Sequence, residues 1–177
     1  TTDPNRVQPY AMVLRADLLM QKIRDDNYQI DSAKSIGFKF GPLQEGGANT
    51  SKAVMLWPAA TYSAIWSLDE NRWLLSHNNS VNFADSGIVL GPTTLVIQMV
   101  SITPSEYGDK FGGVTPFSQT VGTGKAYVLR DGQRFVTTWS RASAEDGTTF
   151  SFADGTVMNF DPGQIWIALT DKEPDFT

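Results

Sequence analysis

The chain has 177 residues, with Lys+Arg 14 against Asp+Glu 19, one histidine and no cysteine. A net charge of −5 argues against nucleic-acid partners, which call for clustered Lys and Arg, and a single His77 without Cys excludes nearly all zinc, iron–sulfur and thiol chemistry. A 41% hydrophobic fraction with five tryptophans supports a packed core that needs no disulfide or metal staple.

Residues 1–10 hold Pro4 and Pro9 and read as an extended lead-in. Thr1, in place of methionine, points to a processed chain or a piece of a longer one. No apolar run approaches the ~20 residues of a membrane span. Leu14, Leu18, Leu19 and Ile23 recur at helical spacing while Arg15, Gln21, Lys22 and Arg24 face away. This predicts a helix from Arg15 or Ala16 to Asp25, ended by Asp25-Asp26-Asn27.

Beyond the helix the period changes to two. Gly37 to Phe40, Lys52 to Trp57, Tyr62 to Leu68 and Arg72 to Ser76 read as strands, and Leu43 to Ser51 as a loop. Thr94 to Ile102 is apolar on both faces, the pattern of a central strand. Lys125 to Leu129 and Gln133 to Trp139 are joined by Arg130-Asp131-Gly132. Thr148 to Phe152 and Thr156 to Phe160 are joined by Ala153-Asp154-Gly155, and Asp-Gly between alternating apolar runs is a strong hairpin signal. Gln164 to Leu169 reads as the last strand. The expected fold is mainly β (α+β), an antiparallel sheet or sandwich-like domain with one N-terminal helix. Residues 11–170 would form a single β-rich domain, and 171–177 a polar, frayed tail.

Candidate chemistry is sparse. Gly122-Thr123-Gly124-Lys125 lacks the earlier glycine and the following Ser/Thr of a phosphate loop, since Gln119 and Ala126 stand there, and a strand follows instead of a helix. Ser76 and His77 are neighbours on a strand end and point apart, so they do not make a nucleophile–base pair. Asp25-Asp26, Asp69-Glu70 and Glu145-Asp146 sit where turns favour short acidic side chains. A Thr1 nucleophile would need its amine buried beside a base. No catalytic residue, metal ligand or cofactor is assigned, and the balance leans against an enzyme.

Two sets of aromatic residues remain. Thr103 to Gln119 is long for a loop and carries Tyr107, Phe111 and Phe117, which either form a small satellite core or contact a protein partner. Trp57, Tyr62, Trp66 and Trp73 could stack on sugar rings, with Asp69 or Asp85 nearby, or else belong to the core.

Thr138-Trp139-Ser140-Arg141, Thr148-Thr149-Phe150, Asp154-Gly155 and Asp161-Pro162-Gly163-Gln164-Ile165-Trp166-Ile167 follow in an order that resembles the C-terminal part of the YerB-type bacterial lipoproteins. That exported family has no settled biochemical function. Gly122-x-Gly124-x-Ala126 with Asp131-Gly132, the Thr94 to Val100 strand and the run Ala53 to Trp66 are similar to it as well. The resemblance spans Gln8 to Leu169 and is most specific after Gly122.

The resemblance implies the C-terminal portion of an extracytoplasmic lipoprotein, membrane-attached or periplasmic, with its lipid anchor and an N-terminal domain upstream. Its partners would be that N-terminal domain and other cell-envelope proteins, and the membrane would be reached only through the anchor. Val7-Gln8-Pro9-Tyr10 and Trp73-Leu74-Leu75 depart from polar positions common in the family, which favours binding over catalysis. The leading expectation is therefore a non-enzymatic accessory or interaction subunit of an envelope complex. The alternatives are a protein that binds or modifies cell-wall glycan, and a catalytic domain completed by residues of the N-terminal part.

Overall fold

The structure is a computed structural model and describes residues 2–8 and 10–177. Thr1, and with it the N-terminal nucleophile, and the lead-in residue Pro9 lie outside the described residues. The chain divides into two units, Thr1–Lys34 and Ser35–Thr177.

In the first unit, helix α1 spans Ala16–Asp25, as the apolar spacing predicts. Asp17 in its first turn and Lys22 and Arg24 in its last are placed to complement the helix dipole. Arg15 also grips Asp17 through Nε at 3.1 Å and Nη2 at 2.7 Å, and this guanidinium holds the Asp17 carboxyl below its usual range. The described residues of the lead-in form turns and are not extended throughout. The Asp3 carboxylate accepts the Asn5 N–H at 2.9 Å, a local turn of the kind aspartate favours, and the Asp3 N–H donates to the Ala11 carbonyl at 2.7 Å.

The second unit holds fifteen strands in chain order. The first six are β1 (Lys39–Phe40), β2 (Ala48–Asn49), β3 (Lys52–Trp57), β4 (Ala60–Ser67), β5 (Arg72–His77) and β6 (Ser80–Val81). Then come β7 (Thr94–Met99), β8 (Ile102–Gly108), β9 (Val114–Ser118), β10 (Gly122–Arg130) and β11 (Gln133–Arg141). The last are β12 (Thr149–Ser151), β13 (Asn159–Phe160), β14 (Ile165–Thr170) and β15 (Asp175–Phe176). One sheet runs β12-β11-β10-β7-β14 with β2 added on β11, and a second runs β15-β3-β4-β5-β6. Two small pairs, β1 with β13 and β8 with β9, complete the set. The fold is thus mainly β with one helix. Its pairs are antiparallel except β14 on β7 and β1 on β13, which are parallel.

Strand β7 shows why the central run is apolar throughout. Leu95 and Ile97 meet Met55, Ala64, Trp73 and Leu75 of the second sheet, while Val96 joins Val128, Phe135, Phe150 and Phe160 on the opposite face. A strand buried on both faces loses the polar half of its alternation. The Asp131-Gly132 turn closes β10 and β11 with φ of 50° and 68°, the two successive positive angles of a primed two-residue turn.

Three expectations fail at the edges of this unit. Residues 43–51 are not all loop, because Ala48 and Asn49 pair with Arg134 and Gln133 of β11. The tail is not frayed, and β14 is not the last strand. Asp175 and Phe176 pair with Val54 and Ala53, and the Thr177 carbonyl accepts the N–H groups of Ser51 at 2.6 Å and Lys52 at 3.1 Å. The tail is polar because β15 is an edge strand, with Phe176 as its packing anchor against Tyr127 at 4.9 Å. Glu173 then bridges to Lys125 and accepts the Tyr127 hydroxyl at 2.7 Å. The Lys125 ammonium, helped by Tyr127, holds the Glu173 carboxyl below its usual range, and Glu173 in turn raises Lys125.

Candidate functional site

Thr103 to Gln119 is mostly not a loop but a hairpin of β8 and β9. Its alternation is masked because Pro104 and Pro116 sit opposite each other. Two prolines cannot exchange N–H bonds, so this must be a non-bonded pair, with the missing donors turned outward where no third strand pairs. The register shifts between Pro104 and Gly108, where the Ser105 hydroxyl accepts the Tyr107 N–H at 3.1 Å.

The tip is built around Asp109. Its backbone N–H donates to the Gly113 carbonyl at 2.8 Å. Its Oδ1 accepts the N–H groups of Phe111 at 2.8 Å and Gly113 at 2.9 Å. Gly112 supplies the positive φ, 87°, that lets the chain reverse. One aspartate therefore fixes the loop that displays Phe111, whose ring is 86% exposed with the Lys110 ammonium 5.0 Å from its centroid. Tyr107 is 76% exposed and Phe117 53%. These rings form no satellite core. The structure brings the three candidates together on one arm and leaves their apolar surface to solvent.

The four candidate sugar platforms separate into two pairs. Trp66 and Trp73 lie 5.4 Å apart, but Trp73 has no exposed surface and belongs to the core, so it offers no ring face to a ligand. Trp66 lies over Gly132 of the hairpin turn. Trp57 and Tyr62 form the other pair, edge to face at 5.8 Å, and Trp57 Nε1 donates to the Leu169 carbonyl at 2.9 Å. Tyr62 also meets His77 at 4.7 Å and Trp166 at 5.3 Å. The sequence pattern does not single out Trp166, which on an alternating strand reads as core. Asp69 and Asp85 do not line the cavity beside Tyr62.

Other motifs resolve into structural roles. Gly124 passes beneath the Trp139 indole, and Trp139 Nε1 donates to the Met99 carbonyl at 2.8 Å. The glycine-rich run is thus the entry to β10. His77 ends β5, stacked on Tyr62. Among the described residues no group of three His, Cys, Asp or Glu comes together to hold a metal ion, and no helix is long and apolar enough to cross a membrane.

Residues 53–167 match the family model described as the C-terminal domain of a protein of unknown function, DUF3048. No curated protein matches the chain. The crystal structure of the YerB protein from Bacillus subtilis is similar, with a TM-score of 0.75 at 14% identity. The match covers 100% of this chain and 59% of that one. At this identity the likeness is one of fold.

Proposed function

The chain belongs to the DUF3048 C-terminal domain family, and on that footing we propose that it is a non-enzymatic interaction domain of an exported, membrane-tethered lipoprotein. Its hairpin arm docks a protein partner in the cell envelope. The observation that carries this reading is Phe111, 86% exposed on a tip held in place by Asp109. An aromatic ring displayed on an ordered turn loses little side-chain entropy on docking, and burying it contributes about 1.5–3 kcal/mol. The arm is small, so the complex is of the transient class, below ~1,200 Å² of buried surface.

Strand addition along the arm is the weaker mode, because Pro104 and Pro116 remove outward donors from both edges. Insertion of the tip into a pocket of the partner suits the geometry better. A lipid surface suits it less. Glu106 and Asp109 flank the aromatic residues, and the chain carries a net charge of −5, which anionic headgroups would repel.

Photo-cross-linking tests the reading. A benzoylphenylalanine is placed at Phe111 and, as a control, at Leu68, which is 82% exposed on another turn. The expected result in native membranes is one protein adduct specific to position 111 and absent from position 68. Identical adducts from both positions, or cross-links at 111 to lipid alone, would overturn it.

A further inference from the structure

A cleft of about 360 Å³ opens between the second sheet, at Tyr62 of β4 and Leu75 of β5, and the edge strand β14. It lies beside the N-terminal end of β7, whereas the arm leaves the C-terminal end. Tyr62 and Trp166 form an aromatic wall with their rings inclined at 50°. The wall is braced by His77 stacked on Tyr62 and by Trp57, itself tied to the β14 backbone.

Asn82 and Gln164 line the same cleft. Their main chains are committed. The Asn82 N–H donates to Leu75 at 3.0 Å and its carbonyl accepts from Leu90 at 2.7 Å, while the Gln164 carbonyl accepts the N–H groups of Thr93 at 2.9 Å and Thr94 at 3.3 Å. Their side-chain amides have no hydrogen-bond partner among the described residues. None of the lining residues carries a charge.

We propose that this cleft binds a neutral hexose, with an acetamido-bearing ring as its best ligand. A pyranose has an apolar C–H face for the Tyr62–Trp166 wall and hydroxyls around its rim. An amide side chain donates and accepts at once, as a hydroxyl pair requires. The volume sits near the lower end of the ~300–1,000 Å³ range of small-ligand sites, fitting one ring better than a long chain. Leu75 and Leu90 offer an apolar floor for the acetamido methyl. A carboxylate or phosphate would be desolvated here without a counter-charge, so anionic sugars are disfavoured. The cleft shares no residue with the arm, so sugar binding and partner docking are separable.

The test is a titration of the ¹⁵N-labelled chain with N-acetylglucosamine, glucose, glucuronate and a neutral capped dipeptide, read by amide and indole chemical shifts. N-acetylglucosamine should give saturable shifts confined to Tyr62, Asn82, Gln164, Trp166 and their neighbours, with a Kd of about 1 mM. Glucuronate should bind at least about tenfold more weakly. Gln164→Ala and Asn82→Ala, both outside the packed core, should each weaken binding about fivefold or more while leaving the rest of the spectrum in place. Tyr62→Phe should keep most of the affinity and Tyr62→Ala should abolish it. Shifts that never saturate, that scatter beyond the cleft, or that favour glucuronate or the dipeptide would overturn the assignment.

Discussion

Arg130 Nη2 reaches the Asp161 carboxylate at 3.3 Å from a side chain that is only 3% exposed. The same guanidinium donates through Nε to Asp131 at 2.7 Å and through Nη1 to the carbonyls of Gly41 at 2.9 Å and Asn159 at 3.0 Å. One planar fork thus joins the β10–β11 turn, the exit of β1 and the end of β13. Removing it strands two carbonyls and two partly buried carboxylates. Arg130→Ala should therefore cost about 3–5 kcal/mol. Arg130→Lys should recover less than half, because a point ammonium cannot serve four acceptors in one plane. Urea unfolding checks both, and a loss below about 1 kcal/mol for the alanine variant would show the fork to be dispensable.

Gly124 is required by packing rather than by any phosphate chemistry. A Cβ there would lie 2.7 Å from Trp139 Nε1 and 3.1 Å from the Met99 carbonyl. Gly124→Ala should destabilise by about 1–3 kcal/mol through overpacking and a displaced indole hydrogen bond. Combined with Trp139→Phe the loss should be less than additive, since the smaller ring makes room. Strictly additive losses would show that the two residues do not share this contact.

The extent to which such features can be read from sequence follows from how local their physics is. Asp131-Gly132 is legible because a primed turn needs two successive positive φ angles, which Asp-Gly accepts at low cost. The helix is legible because Leu14, Leu18, Leu19 and Ile23 keep its period. The arm is not, because Pro104 and Pro116 read as loop residues until they are seen to be partners. Strand β15 is hidden because its pairing with β3 joins segments far apart in the chain, and its polar side chains suit an edge. The cleft fails for the same reason. Tyr62 is legible as an aromatic on a strand, but Trp166 and Gln164 reach it only through the parallel seating of β14 on β7. Charge is legible only in bulk. Composition speaks against polyanion partners alone, and the uncharged lining of the cleft shows only once the strands are assembled.

The Lys125–Glu173 bridge predicts a stability window at the C-terminal edge. Glu173 titrates below its unfolded value, so its contribution is full above the ordinary glutamate range and fades as pH falls through the lowered pKa. Lys125 titrates above its unfolded value, so its contribution is full below the ordinary lysine range and fades as pH rises through the raised pKa. Their side chains are 42% and 57% exposed, so solvent screening keeps the effect within about 1 kcal/mol. Amide exchange at Ser51 and Lys52, which bond to Thr177, should show the strongest protection across neutral pH. That protection should fall more steeply with acid in wild type than in Glu173→Gln. Identical acid profiles for the two would separate β15 pairing from the bridge.

The arm supplies the sharpest separation of stability from binding. Phe111 contributes nothing to a core, so Phe111→Ala should leave unfolding free energy within about 0.5 kcal/mol of wild type. Asp109→Ala acts differently, because the N–H groups of Phe111 and Gly113 lose their carboxylate acceptor. In a turn open to solvent those donors find water, so the cost falls mainly on local order, about 1 kcal/mol. Backbone order parameters should drop at residues 110–113 and stay unchanged in β10 and β11. If the tip acts by holding Phe111 in place, Asp109→Ala should weaken cross-linking from position 111 although the aromatic position remains, and Asp109→Asn should restore much of it by offering an oxygen acceptor. Equal cross-linking by the alanine and asparagine variants would show that the ring is recognised without being held, and that Asp109 serves the fold of the turn alone.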